Sequence, residues 1–500
     1  MKEKNILSTA AGTPVGNDNQ SLSTDEGYIG IQDSELIEKL AHFTRERIPE
    51  RVVHAKAAGA HGYFEVTNDV SKYTKAKFLS EVGKRTEVLA RISTVGGESG
   101  TADTARDPRG FALKFYTEEG NYDMVGNNTP VFFIRDAIKF PDFVHTQKRN
   151  PQTHLKDANM YWDFLSLNPE SIHQVVYMFT DTGTPKDIRH IDGYSSHAYM
   201  WYNEKNEYVW VKYTFKTDLG RENLTVEEAE KLASENPDSS IEDLFNNIDK
   251  GNFPSWTVYV QIMTPEQAEK YNFNPFDVTK VWYHKDFPLI PFGKLVLNRN
   301  PENYFEEVEQ AAFSPSNFVP GIAASPDKLL QGRLFAYKDA QRYRLGANHD
   351  QLPINAPKHP TNTKQRDGQM TLNNGGSRPN YYPNSFEDIS TDEKFNPPAV
   401  NVSGILAKHK LDVEDIDFLQ PGEFYRRVLK SQEKINLVHN IVLHLGNAVE
   451  NIQYRQAALF YKVDVELGTK VAEQLKLDVN RVKELAEMFQ EDRVKATLNY

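Results

Sequence analysis

The chain of 500 residues contains no cysteine. This absence excludes disulfide bonds, thiolate nucleophiles and metal clusters held by cysteine. It also removes the side chains that oxidants attack most easily, so the composition is compatible with a protein that works among oxidants. Many proteins lack cysteine for other reasons, and the absence therefore permits this interpretation without requiring it.

Long apolar runs are missing as well. No window approaches the roughly 18 apolar residues of a membrane span. The charged N-terminus, residues 1–8, has no apolar segment behind it, and no secretory signal is predicted. The C-terminal residues Leu498, Asn499 and Tyr500 differ from a Ser-Lys-Leu peroxisomal address. We therefore expect a cytoplasmic protein without a membrane partner.

An excess of basic residues is also lacking, since 58 Lys and Arg stand against 70 Asp and Glu, for a net charge of -12. Binding to a phosphate backbone needs a basic surface. The charge balance therefore argues against nucleic acid as a partner.

The hydrophobic pattern divides the chain into four segments. Residues 1–50 are polar and weakly patterned, as in an N-terminal arm. Residues 51–300 alternate between apolar and polar positions, for example in 208–216 and 256–262, which predicts an antiparallel β-barrel or β-sandwich. Residues 301–421 are rich in Pro, Asn and Gly after position 350, and residues 422–500 have helical periodicity. Further strand-like runs are 110–116, 129–134 and 172–179.

The segment rich in Pro, Asn and Gly is too long to be an ordinary loop. It is expected to be either disordered or wrapped over other surfaces, and its tyrosines together with Phe386 favour wrapping, which in turn favours an oligomer. After it, Ile435, Val438, Val442 and Leu445 trace one apolar helical stripe. A second predicted stripe comprises Val471, Leu475, Val479, Val482 and Leu485.

Arg333, Tyr337 and Arg344 have the spacing of one helical face. At about 100° per residue they fall within about 20° of one line. An adjacent guanidinium favours the ionised form of a phenol, and a phenolate is a hard anionic metal ligand. Taken alone, such spacing comes more often from an Arg/Tyr stripe on a surface helix.

Three other segments look ordinary when they are considered one at a time. Residues 51–59 place His54 in a short apolar stretch, where a lone histidine is usually packed or exposed without a catalytic role. Residues 123–130 form a turn between strand-like runs, with Asn127 as a turn residue. Residues 91–95 have the pattern of a strand.

Together these segments resemble the haem catalases with a monofunctional active site. The resemblance extends in order over nearly the whole chain. It also resembles the small-subunit type, since no flavodoxin-like domain follows the helical region that ends at Tyr500. The matching segments are 51–64, 106–112, 127–133, 293–301, 333–341 and 380–386.

The resemblance implies an α+β fold with an antiparallel eight-stranded β-barrel, an N-terminal arm, an extended wrapping segment that includes the proximal helix, and a C-terminal helical region. It implies conversion of two hydrogen peroxide molecules to two water molecules and dioxygen. Tyr337 would be the ligand of haem b iron, kept as a phenolate by Arg333. His54 would be the acid–base catalyst, Asn127 would orient the peroxide, and Ser93 would fix the imidazole of His54.

The same resemblance assigns further residues to the cofactor, the access channel and the assembly. Arg51, Arg91 and Arg344 would bind the haem propionates, and Phe140 would stack on the haem. Val53 and Phe132 are further expected contacts of the cofactor. A homotetramer is implied. The expected channel residues are Val95, Asp107, Phe132, Phe133 and Phe143.

The chain departs from the family pattern at a surface cleft that holds NADPH in many small-subunit catalases. Thr182 replaces the usual arginine and Asp192 replaces a frequent asparagine, which weakens a nucleotide phosphate site and makes NADPH doubtful. Leu165 also stands where a second tryptophan is usual, with an effect on either the channel or the packing. The cleft positions that do match are His173, Lys216, Trp282 and His284.

Two alternatives remain at this point. One is another haem enzyme on the same scaffold, such as a peroxidase or a hydroperoxide-cleaving enzyme, against which the full length and the phenylalanine-lined channel argue. The other is a haem carrier or structural protein without activity, against which the presence of both His54 and Asn127 argues.

Overall fold

The computed structural model describes residues 5–409, 413 and 415–498. The chain forms two units, Met1–Glu50 and Arg51–Tyr500. The first four residues and the last two, which entered the prediction about targeting signals, lie outside the described residues. The finer division into segments ending near residues 50, 300 and 421 stays a prediction.

Eight antiparallel strands close into a barrel in the larger unit. The order is β1, β2, β3, β4, β5, β7, β8 and β9, and β9 pairs with β1. Strand β6 pairs with β7, and β10 pairs with β6, so these two extend the sheet beyond the barrel. The predicted antiparallel eight-stranded barrel is confirmed. The strands are β1 (Ala57–Val66), β2 (Arg85–Ser93), β3 (Gly110–Thr117), β4 (Gly120–Asn127), β5 (Gly193–Tyr194), β6 (Tyr199–Tyr202), β7 (Tyr208–Thr217), β8 (Ser255–Met263), β9 (Ile290–Arg299) and β10 (Ile322–Ala324).

Alternation along the strands fills the barrel with large side chains. On β8, Trp256, Val258 and Val260 are buried, whereas Thr257 and Tyr259 between them are half-buried, as a period of two requires. The interior is mainly aromatic, with edge-to-face and tilted ring pairs. Its aromatic residues include Phe64, Phe78, Phe115, Tyr122, Trp201 and Phe292.

A salt bridge lies wholly inside the hairpin formed by β3 and β4. Lys114 Nζ is 2.8 Å and 2.9 Å from the two carboxylate oxygens of Asp123, and both side chains are inaccessible to solvent. The carboxylate also accepts hydrogen bonds from Ser314 N and Asn317 Nδ2, each at 2.9 Å. Burial raises the pKa of Asp123, while the charge of Lys114 opposes this shift. Because the side chains of Lys114 and Asp123 are both inaccessible to solvent, water cannot compensate one charge if the other is removed.

The substitution Asp123→Asn is expected to lower the free energy of unfolding by about 3–5 kcal/mol, because it leaves the Lys114 ammonium buried without a counter-charge. Glu118→Gln, in the turn of the same hairpin, breaks the partly exposed pair with Lys84 and should cost at most about 1 kcal/mol. Urea unfolding at one protein concentration compares the two. Equal midpoints for both variants and the wild type would contradict this expectation.

Helices of the larger unit cover the barrel and form the C-terminal region. The stripe predicted for 435–445 lies in α10, where Val438 and Leu445 are buried but Ile435 is exposed. The second predicted stripe belongs to two helices, α12 and α13, because Lys476 takes a left-handed backbone conformation between them. The helices are α1 (Ser34–Phe43), α2 (Phe140–Gln147), α3 (Ala158–Leu167), α4 (Ile172–Phe179), α5 (Val226–Glu235), α6 (Ser239–Asp249), α7 (Pro265–Lys270), α8 (Lys328–Arg344), α9 (Ile416–Glu423), α10 (Ser431–Leu445), α11 (Glu450–Val463), α12 (Val465–Leu475), α13 (Val479–Glu487) and α14 (Gln490–Lys495).

Two strand predictions are wrong. Residues Ile172–Phe179 form helix α4 and are buried on nearly every side, so no polar face interrupts the run. Its residues 172, 175, 176 and 179 have the spacing of a helical face, which the strand-like composition concealed. Residues 129–134 form bends without a strand, and Pro130 has no N–H to donate to a sheet.

Residues 352–409 contain little regular structure, as the composition indicated, and most of their side chains are exposed. Phe386 is 77% exposed, and Tyr381 and Tyr382 are about half exposed. The aromatic side chains of this segment therefore do not wrap over this chain. Among the described residues, no helix has both the length and the apolar character needed to cross a membrane.

Candidate functional site

Helix α8 carries the predicted tyrosine and both of its arginines. It begins after Asp327, whose carboxylate accepts hydrogen bonds from Leu329 N and Leu330 N. Arg333 Nη2 donates to the phenol oxygen of Tyr337 at 2.6 Å and to the carbonyl of Val125 on β4 at 3.0 Å. The phenol oxygen therefore lies beside a permanent positive charge that is itself fixed to the barrel, which is the environment an anionic metal ligand needs.

Arg344 ends the same helix and is buried, so the Arg/Tyr pattern is not a surface stripe. Its guanidinium lies near those of Arg51 and Arg91, and we call these three residues the arginine cluster. Glu309 contributes a carboxylate to it, 3.2 Å from Arg51 Nη1 and 3.6 Å from Arg344 Nη1. Glu309 was not predicted from the sequence, although this residue ends a visibly acidic run, 306–309.

Among the described residues, Arg51 and Arg91 together carry more positive charge than the single carboxylate of Glu309 balances. Burial, followed by repulsion from Arg91 and Arg344, holds the pKa of Arg51 well below its usual range. Arg91 donates to the carbonyls of His54 and Ala55, but its Nε is buried and has no hydrogen-bond partner among the described residues. Buried cations in excess require further anions. A haem, with two propionate groups, fits this requirement.

His54 precedes strand β1 and adopts a left-handed backbone conformation, with φ of 61°. Its Nδ1 lies 2.9 Å from Ser93 Oγ at the end of β2, and its backbone N–H donates to Val95 O at 3.0 Å. The imidazole is therefore held at Nδ1, and Nε2 stays available for other contacts.

Gly110 on β3 makes room for this pair. A Cβ at Gly110 would lie 2.4 Å from Ser93 Oγ and 2.5 Å from His54 Nδ1, too close for either atom to stay in place. Gly110 pairs with Ser93 on one side and with Asn127 on the other. The barrel register thus aligns Ser93, Gly110 and Asn127 across three strands. Segment 106–112 matches the family in sequence, but the match alone does not reveal this role of Gly110.

The surroundings of His54 keep its ring neutral. Burial lowers the pKa of His54 to about 3, and the charges of Arg91, Arg333 and Arg51 act in the same direction. Above pH 4 the ring can therefore accept a proton. An unfolded histidine titrates near 6.5. The folded state thus loses stability through this group as pH falls from about 6.5 towards 3, because only the unfolded chain binds the proton in that range.

Aromatic residues of the predicted cofactor and channel contacts come together beside this site. Phe132 and Phe140 stack with ring centroids 6.5 Å apart, and Phe143 contacts both Phe132 and Phe133. Val53 packs against the same hydrophobic cluster. Two further channel candidates are linked to each other, since Asp107 accepts a hydrogen bond from the backbone N–H of Val95 at 2.6 Å.

Leu165, the unusual residue on α3, is fully buried in the core formed with the C-terminal helices. Leu165 therefore contributes to the packing of this core.

The residues that match the family's nucleotide-cleft positions do not all line one cavity in this structure. His173, Trp282 and His284 line a cavity of about 350 Å³ together with Phe424. Lys216 and Thr182 are not among the residues that line it. Asp192 is engaged elsewhere, since it accepts a hydrogen bond from Thr217 N at 3.0 Å. Burial raises the pKa of Asp192.

The family profiles, relatives and solved structures compared below are all described as catalases or as catalase-related. The catalase family profile matches residues 8–388, and a profile described as catalase-related immune-responsive matches residues 413–475. The catalase of Methanosarcina barkeri (strain Fusaro / DSM 804) is 60% identical, over 99% of this chain and 100% of the relative. Catalase-A of Dictyostelium discoideum is 56% identical, over 96% of this chain and 98% of the relative.

Solved structures agree with the sequence relatives. Catalase A from Saccharomyces cerevisiae has a TM-score of 0.92 and 46% identity, covering 95% of this chain and 99% of that chain. A fungal catalase also has a TM-score of 0.92, with 48% identity over 95% of this chain and 96% of that chain. The chain therefore belongs to the catalase family, the haem-dependent oxidoreductases that decompose hydrogen peroxide to water and dioxygen.

Proposed function

We propose that this chain binds haem b, with Tyr337 as the residue that would hold the iron, and decomposes hydrogen peroxide with the help of His54 and without another reductant. The observation that carries the proposal is the arrangement of one phenol paired with Arg333, one imidazole paired with Ser93, and a buried excess of positive charge beside both. When bound, the haem iron supplies the two-electron redox chemistry of the reaction.

Residues of the chain transfer the proton and orient the peroxide. His54 Nε2 accepts a proton from one peroxide oxygen and returns it to the other, which leaves as water. Its neutral ring is suited to accept that proton, and Ser93 keeps the imidazole in one orientation. Asn127 orients the peroxide by a hydrogen bond. The oxygen atom that remains takes up the two protons and two electrons that a second peroxide gives up as it leaves as dioxygen, and forms the second water, so that two peroxides give two waters and one dioxygen.

The other site residues hold the cofactor. Tyr337 would ligate the iron, and Arg333 donates a hydrogen bond to its phenol oxygen at 2.6 Å, which places a positive charge beside the ligating atom. The arginine cluster binds the two propionates, which supply the missing negative charge. The aromatic and aliphatic contacts of the porphyrin are Val53, Phe132 and Phe140.

Oxygen evolution tests this proposal directly. The purified holoprotein is expected to release one dioxygen for every two peroxides consumed, with no added reductant, and its extracted cofactor should give the pyridine haemochrome spectrum of haem b. An oxygen electrode and absorbance spectroscopy make both measurements. Peroxide consumption that requires an added reductant would favour a peroxidase, and a sample without a Soret band would refute every haem assignment.

We further propose that NADPH is absent from the purified protein. Support comes from the resemblance, in which NADPH binders usually have arginine at the position of Thr182 and often asparagine at that of Asp192, so this chain lacks a cation and has a carboxyl group at the family's nucleotide positions. Fluorescence of the supernatant after denaturation should detect no stoichiometric reduced nucleotide. A catalase that is known to carry NADPH, treated in parallel, is the positive control, and one nucleotide per subunit in this protein would refute the proposal.

We also propose a homotetramer of the small-subunit type in the cytoplasm. Support comes from the exposed apolar side chains of the segment without regular structure, which suit burial against further copies. These residues include Met370, Leu372, Phe386, Val402 and Ile405. Light scattering should give about four times the 57.2 kDa of one chain.

A further inference from the structure

A short π-helical turn, Phe305–Glu309, borders the arginine cluster. Such turns are rare and often mark functional sites. Arg51 Nη2 donates to the carbonyls of Val308 at 3.3 Å and Glu309 at 2.8 Å, and Arg344 Nη2 donates to Glu309 O at 2.8 Å. With the Glu309 carboxylate, the turn thus supplies the acceptors that orient two of the three guanidinium groups.

Strand β1 holds this turn at several points. The Glu307 carboxylate accepts hydrogen bonds from His61 Nε2 on β1 and from the backbone N–H of Glu302, the latter at 2.8 Å. Tyr304 Oη donates to Ala57 O at 2.8 Å. At Gly59 a Cβ would lie 2.4 Å from Val308 Cγ2, so the absence of a side chain there lets the turn pack directly on the strand.

His61 is buried, and the catalytic steps described above do not use it. Burial, followed by the charge of Arg299, lowers the pKa of His61, which keeps the ring neutral. A neutral ring that donates from Nε2 leaves Nδ1 as an acceptor, and Nδ1 is buried without a hydrogen-bond partner among the described residues. An apolar residue would avoid that cost. The hydrogen bond to Glu307 is therefore the contact that accounts for an imidazole at this position.

We propose that His61 and Glu307 are positioning residues for the cofactor. They fix the π-helical turn so that its carbonyls and Glu309 aim Arg51 and Arg344 at the carboxylates of the bound haem. The inference rests on the proposed assignment of the arginine cluster to the propionates. Both residues act through the arginines, so their loss should weaken haem retention while the ligand Tyr337 stays in place.

The test measures haem loss from the full-length holoprotein into excess apomyoglobin at 25 °C. Glu307→Gln and His61→Gln are each expected to raise the dissociation rate about 10- to 100-fold, the usual effect of a residue that orients a ligating group. The double variant should resemble either single variant, since both replace a partner of the hydrogen bond between His61 and Glu307. Glu306→Gln is the matched control, because Glu306 lies exposed on the same turn and should leave the rate unchanged.

The variant Arg344→Ala separates the inference from the function on which it rests. Faster haem loss in Arg344→Ala, with the wild-type rate in Glu307→Gln, would overturn the positioning role and leave the propionate assignment standing. The wild-type rate in Arg344→Ala would overturn the assignment of this arginine itself.

A second arm of the test distinguishes positioning from simple stability. In the Arg344→Ala background, Glu307→Gln should add little to the rate of haem loss if it acts through the arginines. Circular dichroism and the thermal midpoint are recorded for every variant. A lowered midpoint in Glu307→Gln with an unchanged rate of haem loss would make the pair structural and overturn the inference.

Discussion

His54→Asn is expected to lower the rate of oxygen release from peroxide by about 10²- to 10⁴-fold while haem stays bound. The change removes the proton acceptor at Nε2 and leaves Tyr337 and the arginine cluster untouched. Asparagine is chosen because it tolerates the left-handed backbone that His54 adopts, with φ of 61°. An oxygen electrode gives the rate, and the Soret absorbance per protein gives the haem content.

His154→Asn is the matched control for this experiment. His154 has nearly the same backbone conformation, with φ of 60°, but its side chain lies exposed in a turn. It should retain wild-type activity, so a loss confined to His54→Asn reports the imidazole and not the backbone. Wild-type turnover in a haem-replete His54→Asn protein would exclude His54 as the acid–base catalyst.

Tyr337→Phe is expected to abolish stable haem binding. The change removes only the phenol oxygen, which is the proposed iron ligand and the acceptor of the 2.6 Å hydrogen bond from Arg333. The Arg333 guanidinium then faces an apolar ring at a site that still carries the excess charge of the arginine cluster. The Soret absorbance per protein should fall by about tenfold or more after gel filtration, and activity should fall with it.

Tyr343→Phe provides the comparison on the same helix. Tyr343 lies on α8 as well, but it is 78% exposed. Its substitution should leave haem content and activity unchanged, which controls for the loss of a phenol from α8. A Tyr337→Phe protein with the wild-type Soret band would show that another group ligates the iron.

The fold was predictable from sequence where one face of an element is buried and the other is not. Strand β8 alternates from Ser255 to Val260, and its boundaries agree with the predicted run within one residue at each end. Helix α4 was predicted to be a strand because its burial leaves almost no polar face. The residue spacing fits a helix, whereas the composition favours a strand. Ile435 was placed on a buried stripe because periodicity identifies a face and cannot say how much of it a neighbour covers.

The site was predictable where function depends on residue type within a local motif. The face shared by Arg333 and Tyr337 follows from helical geometry alone. The contributions of Gly110 and Glu309 depend on which strands and turns become neighbours, and a local motif carries no such information. Gly110 matters only because the sheet register sets it between Ser93 and Asn127.

The two sides of the site come from distant parts of the chain, His54 before β1 and Tyr337 on α8, 283 residues later. At a synthesis rate of about 5–20 residues per second, the ribosome completes the second side on the order of 15–60 s after the first. The arginine cluster also comes from both parts of the chain, because Arg51 and Arg91 belong to the first part and Arg344 follows Tyr337. A nascent chain that already contains the barrel strands thus lacks the proposed iron ligand, and this assignment makes acquisition of haem one of the last events in the biogenesis of the protein.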